Sequence, residues 1–273
     1  MDRYAVMGNP IQHSKSPEIH RLFAKATGQN LSYEALLVEP NGFEAAVQNF
    51  FQQGGKGLNV TLPFKENAWQ LADIRSERAE LAGAVNTLCI QNQGIHGDNT
   101  DGAGLVTDML RNCHGKIRDK RLLVIGAGGA VRGVLLPLLK EQPRHLHVVN
   151  RTASKAQQLA EQFQQYGSLS GGGFDSLDED PYDWIINGSS ASLSGELPPL
   201  PTAIIASHTW CYDMMYGAHT TPFNAWAQRQ GAEHIFDGLG MLVEQAAEAF
   251  YLWRGIRPQT ADVIQQLRLT LTK

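Results

Sequence analysis

The stretch "RLLVIGAGGAVRGVLLPLL", residues 121–139, decides the architecture. Leu122 to Ile125 form an apolar run that suits a buried strand, and Val131 onward carries the apolar periodicity of a helix. Gly126, Gly128 and Gly129 lie between them, so the stretch reads as strand, tight turn, helix. Small residues at such a turn let the backbone approach a pyrophosphate, and the free N–H groups of the helix N-terminus suit an anion. The third position of the G-x-G-x-x-G pattern is Val131, so the motif by itself also fits a plain tight turn.

The next unit, "HLHVVNRTASKAQQLAEQF" (145–163), repeats strand and helix. A site for NAD wants Asp or Glu about 20 residues after the glycines, to hold the ribose 2′-OH. Asn150, Arg151 and Thr152 stand there instead. A carboxylate would repel a 2′-phosphate, whereas Arg151 can grip one in a forked geometry. Thr152 is placed to cap the following helix, and Lys155 falls four residues after Arg151 on the same face. The pattern points to NADP rather than NAD.

Outward from this core, "DWIINGS", "AIIASHTWCYD" and "AEHIFDG" supply further short strands, and "SLSGGGFDSLDED" from Ser168 reads as a flexible surface loop. The first hundred residues also alternate strand and helix. "RYAVMGNP" is a strand, and Ser16 as N-cap with Pro17 after it starts a helix. "LSYEALLV" and "GKGLNV" are strands, "ENAWQLADI" and "ERAELAG" are helical, and "AVNTLCI" with "GIHGDNT" forms a hairpin around Gln91 to Gly94. The expected fold is α/β: an N-terminal substrate domain, 1–101, and a Rossmann-like doubly wound NADP-binding domain, 102–237. Two tail helices within 238–273 are expected to pack back on the first.

The 273 residues are 42% hydrophobic with a formal net charge of −4 and no basic run, which argues against a nucleic-acid partner. No apolar run approaches the roughly 20 residues of a membrane helix, and the N-terminus lacks a signal-peptide pattern. Cys89, Cys113 and Cys211 lie far apart, as reduced thiols of a cytoplasmic protein would. The nine histidines include no HExxH and no Cys/His cluster, so no metal site is expected. The expected partner is a small molecule, and the expected state a monomer or homodimer.

In "GKGLNVTLPFKE" (55–66), Asn59 and Thr61 share one side of a strand end, where they are expected to line a substrate pocket, and Lys65 follows the break at Pro63. Ligands of open α/β sheets collect at such ends. Ser14 and Ser16 in "HSKSP" are again two apart, beside a helix N-terminus that suits a carboxylate. "GAVNT" adds Asn86 and "GDNTDG" adds Asp101. Amides and hydroxyls with one Lys and one Asp suit a small polyhydroxylated acid. Gln245 is an amide on a helical face otherwise made by Met241, Leu242 and Ala249, so it needs a polar partner.

Taken together, "GNPIQHSKSP", "GLNVTLPFKE", "LAGAVNTL", "GDNTDG", "GAGGAVRG", "NRT" and "DGLGMLVEQAAEAF" resemble the shikimate dehydrogenases, in order from Met7 to Phe250. The resemblance implies a two-domain enzyme with its active site in the interdomain cleft, interconverting 3-dehydroshikimate and shikimate with NADP(H) on the way to aromatic amino acids. By position it implies substrate contacts at Ser14, Ser16, Thr61, Lys65, Asn86, Asp101, Tyr216 and Gln245, with Lys65 and Asp101 catalytic. It implies cofactor contacts at Gly126, Ala127, Gly128, Gly129 and Ala130, and at Asn150, Arg151, Thr152 and Lys155. Met214 and Gly238 fall near the nicotinamide, and Glu77 near the cofactor. Three departures stand out. Asn187, Gly188, Ser189, Ser190 replace a common Asn-Ala-Thr-Ser, Ser192 replaces a common Gly, and Lys155 replaces a common Arg. The same residues also admit a quinate/shikimate dehydrogenase with relaxed choice, decided near Ser14 and Ser16. Further alternatives are a non-catalytic NADP-binding regulator, which would not need both Lys65 and Asp101, and a methyltransferase, which the Asn150–Thr152 segment disfavours.

Overall fold

In the computed structural model, which describes residues 1–91, 94–177, 179–189, 191 and 196–271, the chain divides into two units. One comprises Met1–Gly104 and Val243–Val263, the other Leu105–Leu242 and Ile264–Lys273.

The first unit runs β1 (Asp2–Gly8), α1 (Ser16–Thr27), β2 (Leu31–Leu37), α2 (Phe43–Gln52), β3 (Gly55–Val60), α3 (Lys65–Leu71), β4 (Ile74–Arg75), α4 (Glu77–Ala82), β5 (Thr87–Gln91), β6 (Gly94–Asp98) and the start of α5 (Asp101–Thr107). Its sheet has the order β2-β1-β3-β5-β6-β4. β1 pairs in parallel with β2 and β3, and β5 pairs antiparallel with β3 and β6. The last five residues of β1 are buried, as expected for an inner parallel strand. Met7, Leu58, Val60, Phe43, Phe64 and Leu88 form the core beneath it. The expected hairpin is present, with residues 92 and 93 outside the described residues. β4 falls where the sequence pattern indicates helix. The helix stops at Leu71 because Ala72 turns extended, and Asp73 N–H then bonds Ile95 O at 2.9 Å, drawing the chain into the sheet.

The second unit runs β7 (Arg121–Ile125), α6 (Gly129–Lys140), β8 (His145–Val149), α7 (Ala153–Phe163), β9 (Leu169–Gly172), β10 (Trp184–Asn187), β11 (Trp210–Asp213), α8 (Pro222–Arg229) and β12 (His234–Asp237). The order is β12-β11-β10-β7-β8-β9, and all pairs are parallel. This is the doubly wound topology expected from the glycine turn, with the strand order reversing between β7 and β10.

Residues 168–180 are not the loop expected of them. Leu169–Gly172 pairs with β8 over four residues, and Asp178 lies outside the described residues. The glycines that suggest flexibility permit close packing: a Cβ on Gly171 would lie 2.2 Å from Ala156 O of α7. "AIIASHTWCYD" contributes a strand only over Trp210–Asp213, with a short 3-10 turn at Thr202–Ile204.

The tail comprises α9 (Leu239–Arg254) and α10 (Ala261–Leu271). In the first unit, Trp253 Nε1 donates to Leu88 O at 3.1 Å, and Gly57 leaves room for the indole. The sequence expects the tail helices of 238–273 to pack back on the first unit, but only Val243–Val263 group with it, and residues up to Leu242 and from Ile264 group with the second. There Arg268 donates to both carboxylate oxygens of Asp237 and to Gly217 O.

Candidate active site

In the first unit, two turns bring the polar residues together. Asn9 N–H bonds Leu62 O, and Thr61 N–H bonds Met7 O, each at 3.0 Å. The ends of β1 and β3 therefore stay side by side. Gly8 makes this approach possible, since a Cβ there would lie 2.5 Å from Thr61 Cγ2. Lys65 opens α3, and its Nζ donates to Asp101 Oδ2 at 2.6 Å. Asp101 opens α5, where a carboxylate suits the helix dipole. The two side chains are 27% and 14% exposed, so the pair is shielded yet reachable.

Ser14 and Ser16 are half-buried on the lead-in to α1. Ser16 is not the N-cap expected of it. Lys15 occupies that position with no side-chain cap, and Ser16 N–H instead donates to Ser14 Oγ at 3.3 Å. Ser16 Oγ is thereby spared the capping role.

Behind the Lys65–Asp101 pair lies a buried amide network. Asn86 Nδ2 donates to Asp101 Oδ1 at 2.8 Å and to Thr100 Oγ1 at 3.0 Å, and Thr100 N–H donates to Asn86 Oδ1 at 2.9 Å. Gln245 Oε1 accepts from Thr100 Oγ1 and Asn86 Nδ2, both at 3.4 Å, so its amide finds partners within the protein. Asn99 Oδ1 accepts from Asp101 N–H, and Asn99 Nδ2 donates to Ala84 O. Asn59, expected at the pocket, belongs to this network. It is 6% exposed, and its amide is engaged at both ends within the protein. Its Oδ1 accepts from Tyr33, and its Nδ2 donates to Asn86 O and Thr87 Oγ1. Tyr33, Thr87, Asn99 and Thr100 escape the sequence reading. The one available signal is the twice-used Asn-Thr pair, Asn86-Thr87 and Asn99-Thr100.

In the second unit the candidate residues gather at the carboxyl ends of the parallel strands. Gly126 has φ +111°, which favours glycine, and a Cβ there would lie 3.2 Å from the backbone of Gly188 and Ser189. Val131, at the unexpected third position, is fully buried; a Cβ on Gly188 would come within 2.5 Å of its Cγ2. The glycine that close packing requires therefore sits at the end of β10 rather than on α6. Met214 N–H bonds Asn187 O, and a Cβ on Gly238 would strike Met214 O at 2.2 Å, so Met214 and Gly238 adjoin the same strand ends. Tyr216 follows in the same segment; burial, then the nearby Asp237 charge, raises its phenol above the ordinary range. Ser190 and Ser192 lie outside the described residues.

Gly128, Gly129 and Ala130 are exposed, and Cβ atoms on the two glycines would meet no protein atom within 4 Å. No side chain caps α6. A phosphate could thus reach backbone N–H groups directly. At the end of β8, Asn150 is half-buried and donates to Thr152 O, while Arg151, Thr152 and Lys155 are exposed. Thr152 holds the N-cap position of α7 without a side-chain cap bond. Two adjacent cations and a spare hydroxyl fit a 2′-phosphate. Glu77 is exposed on α4 of the first unit. Among the described residues, no group of three or more His, Cys, Asp or Glu could hold a metal ion.

Comparison with known proteins agrees with these features. Residues 6–88 match the shikimate dehydrogenase substrate binding domain, 108–174 match shikimate / quinate 5-dehydrogenase, and 238–268 match the shikimate 5'-dehydrogenase C-terminal domain. The chain is 58% identical over 267 residues to the shikimate dehydrogenase (NADP(+)) of Alkalilimnicola ehrlichii, covering 98% of each chain. It is 57% identical to that of Hahella chejuensis, covering 98% of this chain and 99% of the other. Its fold superposes with a TM-score of 0.87 on shikimate 5-dehydrogenase from Thermus thermophilus, solved in complex with NADP(H) and shikimate. That protein is 30% identical, with 99% and 100% of the two chains covered.

Proposed function

The chain belongs to the shikimate dehydrogenase family, and from that premise we propose that it reversibly reduces 3-dehydroshikimate to shikimate with NADPH, within the route to chorismate and the aromatic amino acids. The Lys65–Asp101 pair, 2.6 Å apart at the mouth of the β3 end, carries the reading.

Arg151, Lys155, Thr152 and Asn150 hold the 2′-phosphate end of the cofactor, and Gly126 to Ala130 present backbone N–H groups to its pyrophosphate. Met214 and Gly238 border the nicotinamide, and Glu77 is a further cofactor contact. Bound NADPH supplies the hydride. Ser14 and Ser16 take the substrate carboxylate, while Thr61, Gln245 and Tyr216 take its hydroxyls. As the carbonyl carbon is reduced, the charge growing on oxygen is met by Lys65 Nζ, which gives up a proton and regains it from solvent. Asp101 holds Lys65 at that oxygen and accepts from a neighbouring substrate hydroxyl, and Asn86 holds Asp101. We place the enzyme in the cytoplasm, in keeping with three free cysteines; no described helix is long and apolar enough to cross a membrane.

One assay tests the reading: purified protein with shikimate or quinate against NADP or NAD, followed by absorbance of the reduced cofactor. Turnover with shikimate and NADP well above the other three pairings is expected. Cofactor binding without turnover would reduce the protein to a sensor, and equal rates with quinate would make it a broader dehydrogenase.

A further inference from the structure

The hydrogen bonds behind Asp101 have a direction. The β-sheet register places Asn59 of β3 opposite Thr87 of β5. Asn59 Nδ2 donates to the carbonyl of Asn86 at 3.1 Å, which can only accept, so the orientation of the Asn59 amide is fixed by the backbone. Its other amide hydrogen goes to Thr87 Oγ1 at 3.1 Å. Having accepted there, the Thr87 hydroxyl gives its own hydrogen to Asn86 Oδ1 at 2.9 Å. The Thr100 N–H, which can only donate, points at the same Oδ1. Asn86 must therefore present Nδ2 to Asp101 Oδ1, while Lys65 takes Oδ2. Behind Asn59, the Tyr33 hydroxyl donates to Oδ1 at 2.7 Å. The Tyr33 ring is stacked on His20 at 4.1 Å and 4°.

We propose that Thr87 is a positioning residue for the reaction: with Tyr33 and Asn59 behind it, it completes a one-way chain of donors that aims Asn86 at Asp101 and so sets where Lys65 delivers its proton. None of the three needs to touch substrate; Asn59 and Thr87 are 6% and 2% exposed. Replacing this buried hydroxyl by a methyl group leaves one Asn59 amide hydrogen without its acceptor and takes one of its donors from Asn86 Oδ1, which then keeps only Thr100. The inference rests on the dehydrogenase reading of the site.

The test uses two near-isosteric variants of the full chain. Thr87→Ser keeps the hydroxyl and Thr87→Val removes it. With shikimate and NADP, Thr87→Val should lose about 10- to 100-fold in kcat, the cost of a small misplacement of a catalytic group. Its KM, and its shikimate Kd measured by calorimetry, should stay within about threefold of wild type, because the lost interaction acts in the transition state. Thr87→Ser should restore kcat to within about threefold of wild type on the same argument. In a Lys65→Ala background, Thr87→Val should cost little more, since residues acting through one group are not additive. Melting temperatures separate folding from positioning: a variant that melts lower but keeps wild-type kcat overturns the inference. Equal kcat for Thr87→Val and Thr87→Ser overturns it as well, and so does full additivity with Lys65→Ala. A wild-type enzyme that turns over shikimate while the variants fail these tests sinks the inference alone; a wild type inert toward shikimate sinks the dehydrogenase reading and the inference with it.

Discussion

In the first unit, Lys65, Asp101, Asn86, Thr87 and Asn59 are hydrogen-bonded to one another, each side chain aimed by its neighbour. In the second, Gly128, Gly129, Arg151 and Lys155 are exposed, and the glycines leave open room over the start of α6. The first region is a preorganised polar network, where orientation is fixed by buried bonds and error in position costs rate. The second we read as a landing surface, where backbone donors and exposed cations would gain their partners from what binds. Substitutions should divide the same way, into turnover effects in one and cofactor affinity effects in the other.

The largest break expected in this comparison is Lys65→Ala, which should lower kcat by roughly 10²–10⁴-fold, the usual scale for a general acid–base group, with little change in the KM for shikimate. Steady-state rates with a circular-dichroism check of folding decide it; near-normal turnover would make Lys65 an ordinary surface lysine. Arg151→Ala should act on the other side of the division. Losing a charge-assisted contact to the 2′-phosphate costs about 1.5–3 kcal/mol, so the KM for NADP should rise about tenfold to somewhat over a hundredfold. The KM for NAD should barely move, and equal losses with both cofactors would refute the assignment of Arg151.

Gly188→Ala sharpens the comparison within the second unit, because the turn under the landing surface is itself tightly packed. The added methyl meets Val131 at 2.5 Å, and overpacking of this kind costs about 1–3 kcal/mol. Urea unfolding should show that loss, and adding Val131→Ala should recover part of it. If the double variant is no more stable than Gly188→Ala, the two residues are not a complementary pair.

The smallest effect at neutral pH is expected at His20, under the network of the first unit. Burial pushes its imidazole down to about 3, against about 6.5 in an unfolded chain. Between those values the unfolded chain binds a proton that the folded one refuses. Stability therefore rises with pH across this window and falls on acidification, by up to about 1.4 kcal/mol per pH unit. His20→Phe keeps an aromatic ring against Tyr33 and should flatten that dependence in urea midpoints taken across the window. A slope unchanged by the substitution would place the acid sensitivity elsewhere.

Much of this was written locally in the chain. The strand–glycine–helix stretch 121–139 specifies a doubly wound sheet because the period of apolar residues changes across a turn that only small residues can make. Arg151 in place of an acid points to the NADP that the relatives use, since a carboxylate there would repel a phosphate. Other features had no local signature. The glycines of 168–180 look like flexibility in one dimension and are close packing in three, because the atom that excludes a Cβ, Ala156 O, belongs to α7. Val131 breaks the motif on paper, yet Gly188, 57 positions on, supplies the space that the motif's last glycine would have given. Asn59 was legible as a polar residue at a strand end, but its burial and its engagement with Tyr33 and Thr87 depend on the register of β3 against β5. Hydrogen-bond direction is a property of neighbours in space, so the tertiary structure alone decided which polar residues are tied to one another and in what order.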